Sequence, residues 1–306
     1  MPDVAIMIEG QDGLNWERWQ RLAGAAEQLG FAGLYRSDHF TNPDGPHLDA
    51  LEMWTSLTWL AGSTRRIEFG PLVAPVSFRN PVIAAWTAAA IDDLSGGRLR
   101  LGLGAGWQER EHRSYGFDLL DVDGRFRRLR EALEVVTRLL RSDQPTSFDG
   151  EFFHLEDALL LPRPTRAGGP PIVIGGNGPR RTLPLVAEFA DEWNAVYATV
   201  DRFATLSAEL DRLLDRQGRP HGAVRRTVMT RVIVGRDEAE VARKLNGDPQ
   251  ALRDRGVVFG EPSAVVDQLG RLGEVGVERV MAQWLDMDDM DGLELLAADV
   301  LPKLDQ

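Results

Sequence analysis

The stretch "VAIMIEGQDGLNWERWQRLAGAAEQLGFAGLYR" (residues 4–36) contains the unit from which the fold is built. It begins with a short aliphatic run at 4–8, continues as an amphipathic helical pattern that stops at Gly30, and ends in a second short run at 32–36. A glycine just after the last periodic residue is a common helix stop. The stretch therefore predicts a strand, a helix and a second strand.

The same alternation of short strand and longer helix continues along the chain. The predicted strands are 4–8, 32–36, 66–73, 98–104, 171–176, 192–197, 226–234 and 277–284. A helical pattern follows each of them. Eight βα units without a change in composition predict an α/β fold, a (β/α)₈ TIM barrel formed by residues 1–306 as a single domain.

Two segments interrupt the alternation and predict short insertions at the barrel rim. Residues 146–169 have the pattern of a hairpin between the fourth helix and the fifth strand, and residues 236–259 follow the seventh strand. Loops at the C-terminal rim of such barrels form the active site. We therefore expect the segments 38–50, 107–122 and 236–259 to shape a pocket for a small-molecule substrate.

Composition excludes several classes of function. The chain of 306 residues carries a net charge of −12 and has no cysteine, which excludes disulfides, thiolate catalysis and cysteine-ligated metals. Because no basic run offsets the negative charge, a nucleic-acid partner is not expected. The N-terminus lacks a basic, signal-like segment, and no run approaches the ~18 apolar residues of a membrane span. We expect a cytoplasmic protein without a membrane partner.

The glycine-rich stretch "LSGGRLRLGLGAGW" (94–107) has two interpretations. A Rossmann turn is disfavoured, because G-x-G-x-x-G must lead directly into a helix and the next helical pattern starts near Asp123. The glycines either let the fourth strand approach its neighbours closely, or leave room for a planar ligand at Gly104, Ala105 and Gly106. The sequence leaves both interpretations open.

The segment "GGNGPRR" (175–181) is a more specific signal. Four successive residues would present backbone N–H groups, namely Gly175, Gly176, Asn177 and Gly178. Pro179 is expected to open a helix, and a glycine-rich loop before a helix N-terminus binds anions. A tight turn alone would need fewer glycines, so we predict a phosphate site here.

Asp38 and His39 follow the second predicted strand. A lone histidine is more often structural, but at the mouth of a barrel beside an aspartate His39 is the best candidate proton donor in the chain. The other histidines are dispersed, so no metal site is expected. The strand ends show neither paired carboxylates nor a G-x-S-x-G nucleophile, which disfavours a hydrolase.

Six segments in order along the chain resemble a known family. They are LGFAGLYRSDHF (29–40), RIEFGPLV (66–73) with FRNP (78–81), DDLSGGRLRLGLGAGW (92–107), RFRRLREALEVV (125–136), PPIVIGGNGPRR (170–181) and ADEWN (190–194). Together they are similar to the bacterial luciferase-like flavin and deazaflavin superfamily, and in particular to its oxidoreductases that use coenzyme F420.

The resemblance implies that the barrel mouth holds the coenzyme ring and that the 175–178 loop holds its phosphate. It implies a non-proline cis peptide at Leu72–Val73 behind the ring and His39 as the proton donor. The matching cofactor contacts are Asp38, Ala105, Gly106, Asn177 and Gly178. Trp107 replaces an active-site glutamate of the glucose-6-phosphate dehydrogenase branch, and Pro43 replaces its tryptophan, so oxidation of sugar phosphates is not expected.

The expected function is therefore that of an F420-dependent oxidoreductase, which transfers a hydride to or from a small organic substrate. Two alternatives remain on the same fold, an FMN-dependent monooxygenase and a non-catalytic flavin-binding protein. The resemblance also implies a homodimer.

Overall fold

A computed structural model of the chain describes residues 1–304 and confirms the alternation of strands and helices. The strands are β1 (Asp3–Ile8), β2 (Gly33–Arg36), β3 (Glu68–Pro71), β4 (Ala74–Pro75), β5 (Leu101–Gly104), β6 (Thr146–Asp149), β7 (His154–Ala158), β8 (Ile172–Gly175), β9 (Glu192–Val196), β10 (Arg225–Val234), β11 (Val258–Gly260) and β12 (Arg279–Gln283).

The helices surround these strands. They are α1 (Trp16–Gln28), α2 (Met53–Ser63), α3 (Pro81–Ser95), α4 (Glu109–Tyr115), α5 (Val122–Arg141), α6 (Thr182–Phe189), α7 (Val200–Arg216), α8 (Glu238–Lys244), α9 (Pro249–Asp254), α10 (Pro262–Glu274), α11 (Met290–Asp299) and α12 (Leu301–Leu304), with a 3₁₀ turn at His221–Ala223. Within residues 1–304, none of the helices combines the length and the apolar character that crossing a membrane requires.

The strands form a parallel barrel in the order β3-β2-β1-β12-β10-β9-β8-β5-β4. β3 lies within the third predicted strand (66–73), and β4 lies just beyond its predicted end, so the two form one strand that is interrupted at Leu72–Val73. Because Phe69 bridges to Leu99 and β4 pairs with β5, this divided strand closes the barrel. The predicted TIM barrel is confirmed, whereas its extension as one domain to residue 306 stays a prediction, since residues 305–306 lie outside the described part.

Both rim insertions are present. The first contains the antiparallel hairpin β6–β7. The second contains α8, α9 and β11, and β11 pairs in parallel with the end of β10, where Val232 lies opposite Val258. Because β11 extends the sheet beyond β10, the second insertion lies over one side of the barrel mouth.

Two helices begin later in the chain than predicted, and three short helices were not predicted. The helical pattern LDALEMWTSLTWLAG (48–62) predicts a start near Leu48, but α2 begins at Met53. Glu52 caps it there by accepting the Thr55 N–H at 2.7 Å. α4, α8 and α9 were not predicted. α6 begins at Thr182, so the prediction that Pro179 opens the helix is wrong. The carbonyl of Gly178 instead accepts the first N–H groups of α6 at 2.9 and 3.0 Å, after an intervening turn.

An ionic cluster fills the N-terminal end of the barrel. Arg279 donates to both oxygens of Asp3 at 2.6 and 2.9 Å and also binds Glu68. Arg100 binds Glu68 at 2.7 Å, and Arg225 binds Asp3 at 2.9 Å. Burial opposes ionisation of Glu68, but hydrogen bonds and charge from Arg100 and Arg279 lower its pKa to about 2. This end is closed by paired charges, so a ligand must enter from the opposite mouth.

Candidate functional site

The predicted site residues meet at one end of the barrel. Asp38 and His39 follow β2, Leu72–Val73 lies between β3 and β4, and Ala105 and Gly106 follow β5. Gly175 ends β8, and residues 176–178 follow it. Because the barrel strands run parallel, all of these positions lie at the C-terminal mouth, where active sites of this architecture are found.

His39 is held by a buried carboxylate. Its Nδ1 donates to Glu111 Oε1 at 2.9 Å, and the Phe40 N–H donates to the other Glu111 oxygen at 3.0 Å. The His39 side chain is 15% exposed and that of Glu111 is 1% exposed. Burial by itself would lower the pKa of His39, but the hydrogen bond and negative charge of Glu111 raise it above its ordinary value. The pair therefore favours an imidazolium whose Nε2 has no partner within residues 1–304.

Glu111 was missed because its helix gives a weak sequence signal. α4 has seven residues, too few for a helical periodicity, and only Glu111 and His112 in it are buried. Gly116, which ends α4 in a left-handed conformation at φ +74°, is a sign of the helix end in the sequence. α4 also fixes the loop after β2, since Gln108 and Thr41 exchange hydrogen bonds at 2.7 and 2.9 Å.

Asp38 lies beside His39 but binds another residue. Both of its oxygens accept hydrogen bonds from Arg79, at 2.7 and 2.8 Å, and the side chain is buried. Arg79 also pairs with Glu52 at 2.9 Å. The Asp38 carboxylate thus anchors the loop to the start of α3, and its predicted contact with a cofactor stays a prediction.

The peptide bond between Leu72 and Val73 is cis, as predicted. Leu72 packs on the apolar residues inside the barrel, Ala5, Met7, Tyr35, Met229 and Met281. The Val73 side chain points toward β5 and β8. A Cβ added at Gly102 or Gly104 would reach the Val73 γ-carbons, and a Cβ at Gly175 would contact Val73 Cγ1 at 3.5 Å.

The glycine-rich stretch 94–107 had two interpretations, close approach of strands or room for a ligand. For Gly102 and Gly104 this packing favours close approach of strands. Gly102 also faces the carbonyl of Pro71, so the glycines of β5 allow the third and fourth strands to approach closely. Gly106 differs, because it has φ +80° and its carbonyl accepts from Arg125 at 3.2 Å. Ala105 and Gly106 are half-buried at the mouth, and their cofactor contacts stay predictions.

The 175–178 loop offers fewer free N–H groups than predicted. The Gly176 N–H donates to the Asn194 carbonyl at 2.9 Å. The prediction that Gly176 binds the phosphate through its N–H is therefore wrong. The Asn177 side chain is tied to the Val196 backbone by bonds of 2.6 and 2.9 Å. Within residues 1–304 the N–H groups of Asn177 and Gly178 have no partner. The loop therefore presents two rigidly held donors.

Two arginines follow this loop and differ in their availability. Arg181 binds Asp123 at 2.6 Å. The exposed Arg180 has no ionic partner in the described part of the chain. Arg180 is thus the cation that an anion on the loop would meet.

Two further features complete the mouth. Trp107 is 58% exposed, and its ring meets His39 edge-on at a centroid distance of 5.5 Å. At the ends of β9, β12 and β1, Tyr197 donates to Gln283, whose amide donates to Glu9. Glu9 also accepts from Gln11 at 3.0 Å. In residues 1–304 no group of three or more histidines or carboxylates is arranged to hold a metal ion.

Comparison with known proteins identifies the family. The model of the luciferase-like monooxygenase family matches residues 5–298. The F420-dependent glucose-6-phosphate dehydrogenase of Kineococcus radiotolerans is 28% identical over 281 residues, which cover 88% of this chain and 79% of that protein.

Solved structures share the fold over almost the whole chain. An F420-dependent secondary alcohol dehydrogenase in complex with an F420–acetone adduct superimposes with a TM-score of 0.84 at 18% identity, covering 99% of both chains. The oxygenating constituent of 3,6-diketocamphane monooxygenase from Pseudomonas putida, in complex with FMN, gives 0.78 at 16% identity and covers 99% of both chains. The chain therefore belongs to the luciferase-like monooxygenase family.

Proposed function

We propose that this protein is an F420-dependent oxidoreductase that transfers a hydride to or from a small organic substrate. The observation that carries the proposal is the His39–Glu111 pair at the barrel mouth. Hydride transfer to a carbonyl, imine or activated alkene requires a proton donor next to the reacting atoms. A protein that only bound a flavin would not need one.

The residues of the mouth fit the coenzyme. The N–H groups of Asn177 and Gly178, with Arg180 beside them, form a site for its phosphate. Gly106 and Ala105 carry little or no side chain that would obstruct a ring lying against Leu72–Val73. When bound, a deazaflavin supplies the site of hydride transfer. The names of the F420-dependent relatives support the same coenzyme.

His39 supplies or takes the proton in this proposal. Glu111 fixes Nδ1 as a donor to its carboxylate, which leaves Nε2 directed to a ligand. Because Glu111 stabilises the charged imidazolium, the ring stays protonated to higher pH than a free histidine. Trp107 restricts the space next to the imidazole.

A reduction assay tests the proposed reaction. Purified protein is mixed with reduced F420 and a panel of ketones, imines and activated alkenes, and oxidation of the coenzyme is followed by absorbance. We expect turnover with at least one substrate, and much slower turnover in the variant His39→Ala. Oxygen-dependent product formation with reduced FMN would instead support the alternative, an FMN-dependent monooxygenase, which the FMN-containing relative makes reasonable.

We also propose that the protein is a homodimer. Ile83, Trp86 and Leu94 lie on one exposed side of α3 and are 62%, 37% and 57% exposed. A helix face of this kind is typical of a subunit interface. Sedimentation should show a dimer that Leu94→Glu converts to a monomer, while Leu161→Glu, at an equally exposed leucine in the first rim insertion, leaves it intact.

A further inference from the structure

An arginine without an acidic partner points into the barrel mouth. Met229 belongs to the apolar cluster inside the barrel, and side chains two positions apart on a strand share a face, so Arg231 projects to the same side. Arg231 lies opposite Gln283 of β12, whose side chain binds Tyr197 and Glu9 at the mouth. Within residues 1–304 no carboxylate lies within 4.0 Å of Arg231, and its one hydrogen bond goes to the Lys244 carbonyl at 3.3 Å.

A second cation lies nearby. The Arg255 guanidinium sits over the Tyr197 ring at 4.9 Å and also lacks an acidic partner among the described residues. The backbone that carries it is fixed, because the Thr230 hydroxyl donates to the Gly256 carbonyl at 2.8 Å. Burial raises the pKa of Tyr197 above its ordinary value, and the positive charges of Arg255 and Arg231 reduce this rise. Both cations therefore lie close enough to act on the same phenol.

Two of the acidic groups around this position, Glu9 and Asp289, are already engaged. Both oxygens of Glu9 accept hydrogen bonds from glutamine side chains. Arg231 lines a cavity of about 520 Å³ together with Arg243, Lys244, Asp286 and Asp289. Lys244 pairs with Asp289 at 2.7 Å, so the charges of these two residues cancel. Among the remaining charged residues of the lining, Arg231 and Arg243 are positive and Asp286 is negative. The cavity wall is therefore positive, although the whole chain has a net charge of −12.

We propose that the substrate is a small organic anion, a carboxylate or a phosphate monoester, and that Arg231, assisted by Arg255, binds its charged end and determines specificity. This inference rests on the proposed oxidoreductase function of the same mouth. Arg231 belongs to β10, whereas the predicted coenzyme phosphate site follows β8, so the two anion sites belong to different strands. A planar guanidinium binds either oxyanion through two parallel hydrogen bonds.

Binding of simple anions tests the proposal without turnover. Benzoate, phenyl phosphate and uncharged benzamide are titrated into the cofactor-free protein by calorimetry. We expect one of the two anions to bind more tightly than the other, which identifies the oxyanion, and benzamide to bind at least about tenfold more weakly. Arg231→Gln should weaken anion binding at least about tenfold. Arg231→Lys should weaken it by less, because lysine keeps the charge but cannot form the two parallel hydrogen bonds. Arg216→Gln, at an exposed arginine of α7, should leave anion binding unchanged. Because Arg231 has no carboxylate partner among residues 1–304, Arg231→Gln leaves no buried carboxylate unpaired, and this variant should fold.

The same variants are titrated with F420, which separates this proposal from the proposed function. We expect Arg231→Gln to bind F420 like the wild type. Loss of F420 affinity in that variant would assign the arginine to the coenzyme and overturn the proposal. Equal binding of benzamide, unchanged anion binding in Arg231→Gln, or no anion binding by the wild type would also overturn it. Failure of the wild type to bind F420, with anion binding intact, would count against the coenzyme assignment alone.

Discussion

Replacing Gly104 by alanine should destabilise the barrel at the divided third strand. The added Cβ would lie less than 3.0 Å from Val73 Cγ2, whereas non-bonded carbon atoms are optimally separated by roughly 3.5–4.0 Å. Val73 cannot retreat easily, because the next residue, Ala74, is paired with Leu103 of β5. Overpacking of this kind costs about 1–3 kcal/mol in the free energy of unfolding.

Urea unfolding followed by circular dichroism measures this cost. Gly24→Ala is the matched control, because nothing lies within 4 Å of the added Cβ in α1, and it should stabilise the protein by up to about 1 kcal/mol. Val73→Ala combined with Gly104→Ala should cost less than the two separate changes together, since the γ-carbons that clash are gone. If Gly104→Ala is as stable as the wild type but binds cofactor poorly, the glycine makes room for the ligand and our packing argument is refuted.

Three further predictions concern the site itself. His39→Ala should lower kcat roughly 10²-fold while cofactor affinity stays unchanged, and full turnover would return His39 to a structural role. Glu111→Gln should move the high-pH loss of reductive activity to lower pH, because the charge that raises the pKa of His39 is removed, and an unmoved pH profile would contradict this. Gly178→Val should weaken cofactor binding at least about tenfold, or ~1.4 kcal/mol, without unfolding, because only the Thr182 side chain must yield, and unchanged affinity would exclude the loop as the phosphate site.

The repeated pattern of strands and helices made the barrel predictable from sequence. Most barrel strands are short runs rich in aliphatic residues. The C-terminal end of each strand sets which residues reach the mouth, so His39 and Gly178 were correctly placed there. The Asp38–Arg79 pair was not predictable in this way, because it joins residues 41 positions apart whose charges alone do not specify a partner. Glu111 was missed because it lies on α4, a helix too short to give a recognisable sequence pattern.

The loop after β8 shows a different limit of sequence reasoning. Its glycines correctly indicated that some backbone N–H groups are free, but hydrogen bonding to a neighbouring strand is not encoded in the loop itself. The Asn194 carbonyl accepts a hydrogen bond from the Gly176 N–H, and the Val196 carbonyl accepts one from the Asn177 side chain. The number of donors left for an anion depends on these tertiary contacts.

Equilibrium titration of the cofactor-free protein with F420 and, separately, with FMN tests the central claim most directly, with ligand fluorescence as the readout. We predict saturable binding of F420 at one site per chain, tighter than that of FMN, and weakened in Gly178→Val. Tighter binding of FMN than of F420, or binding of neither coenzyme, would contradict the account.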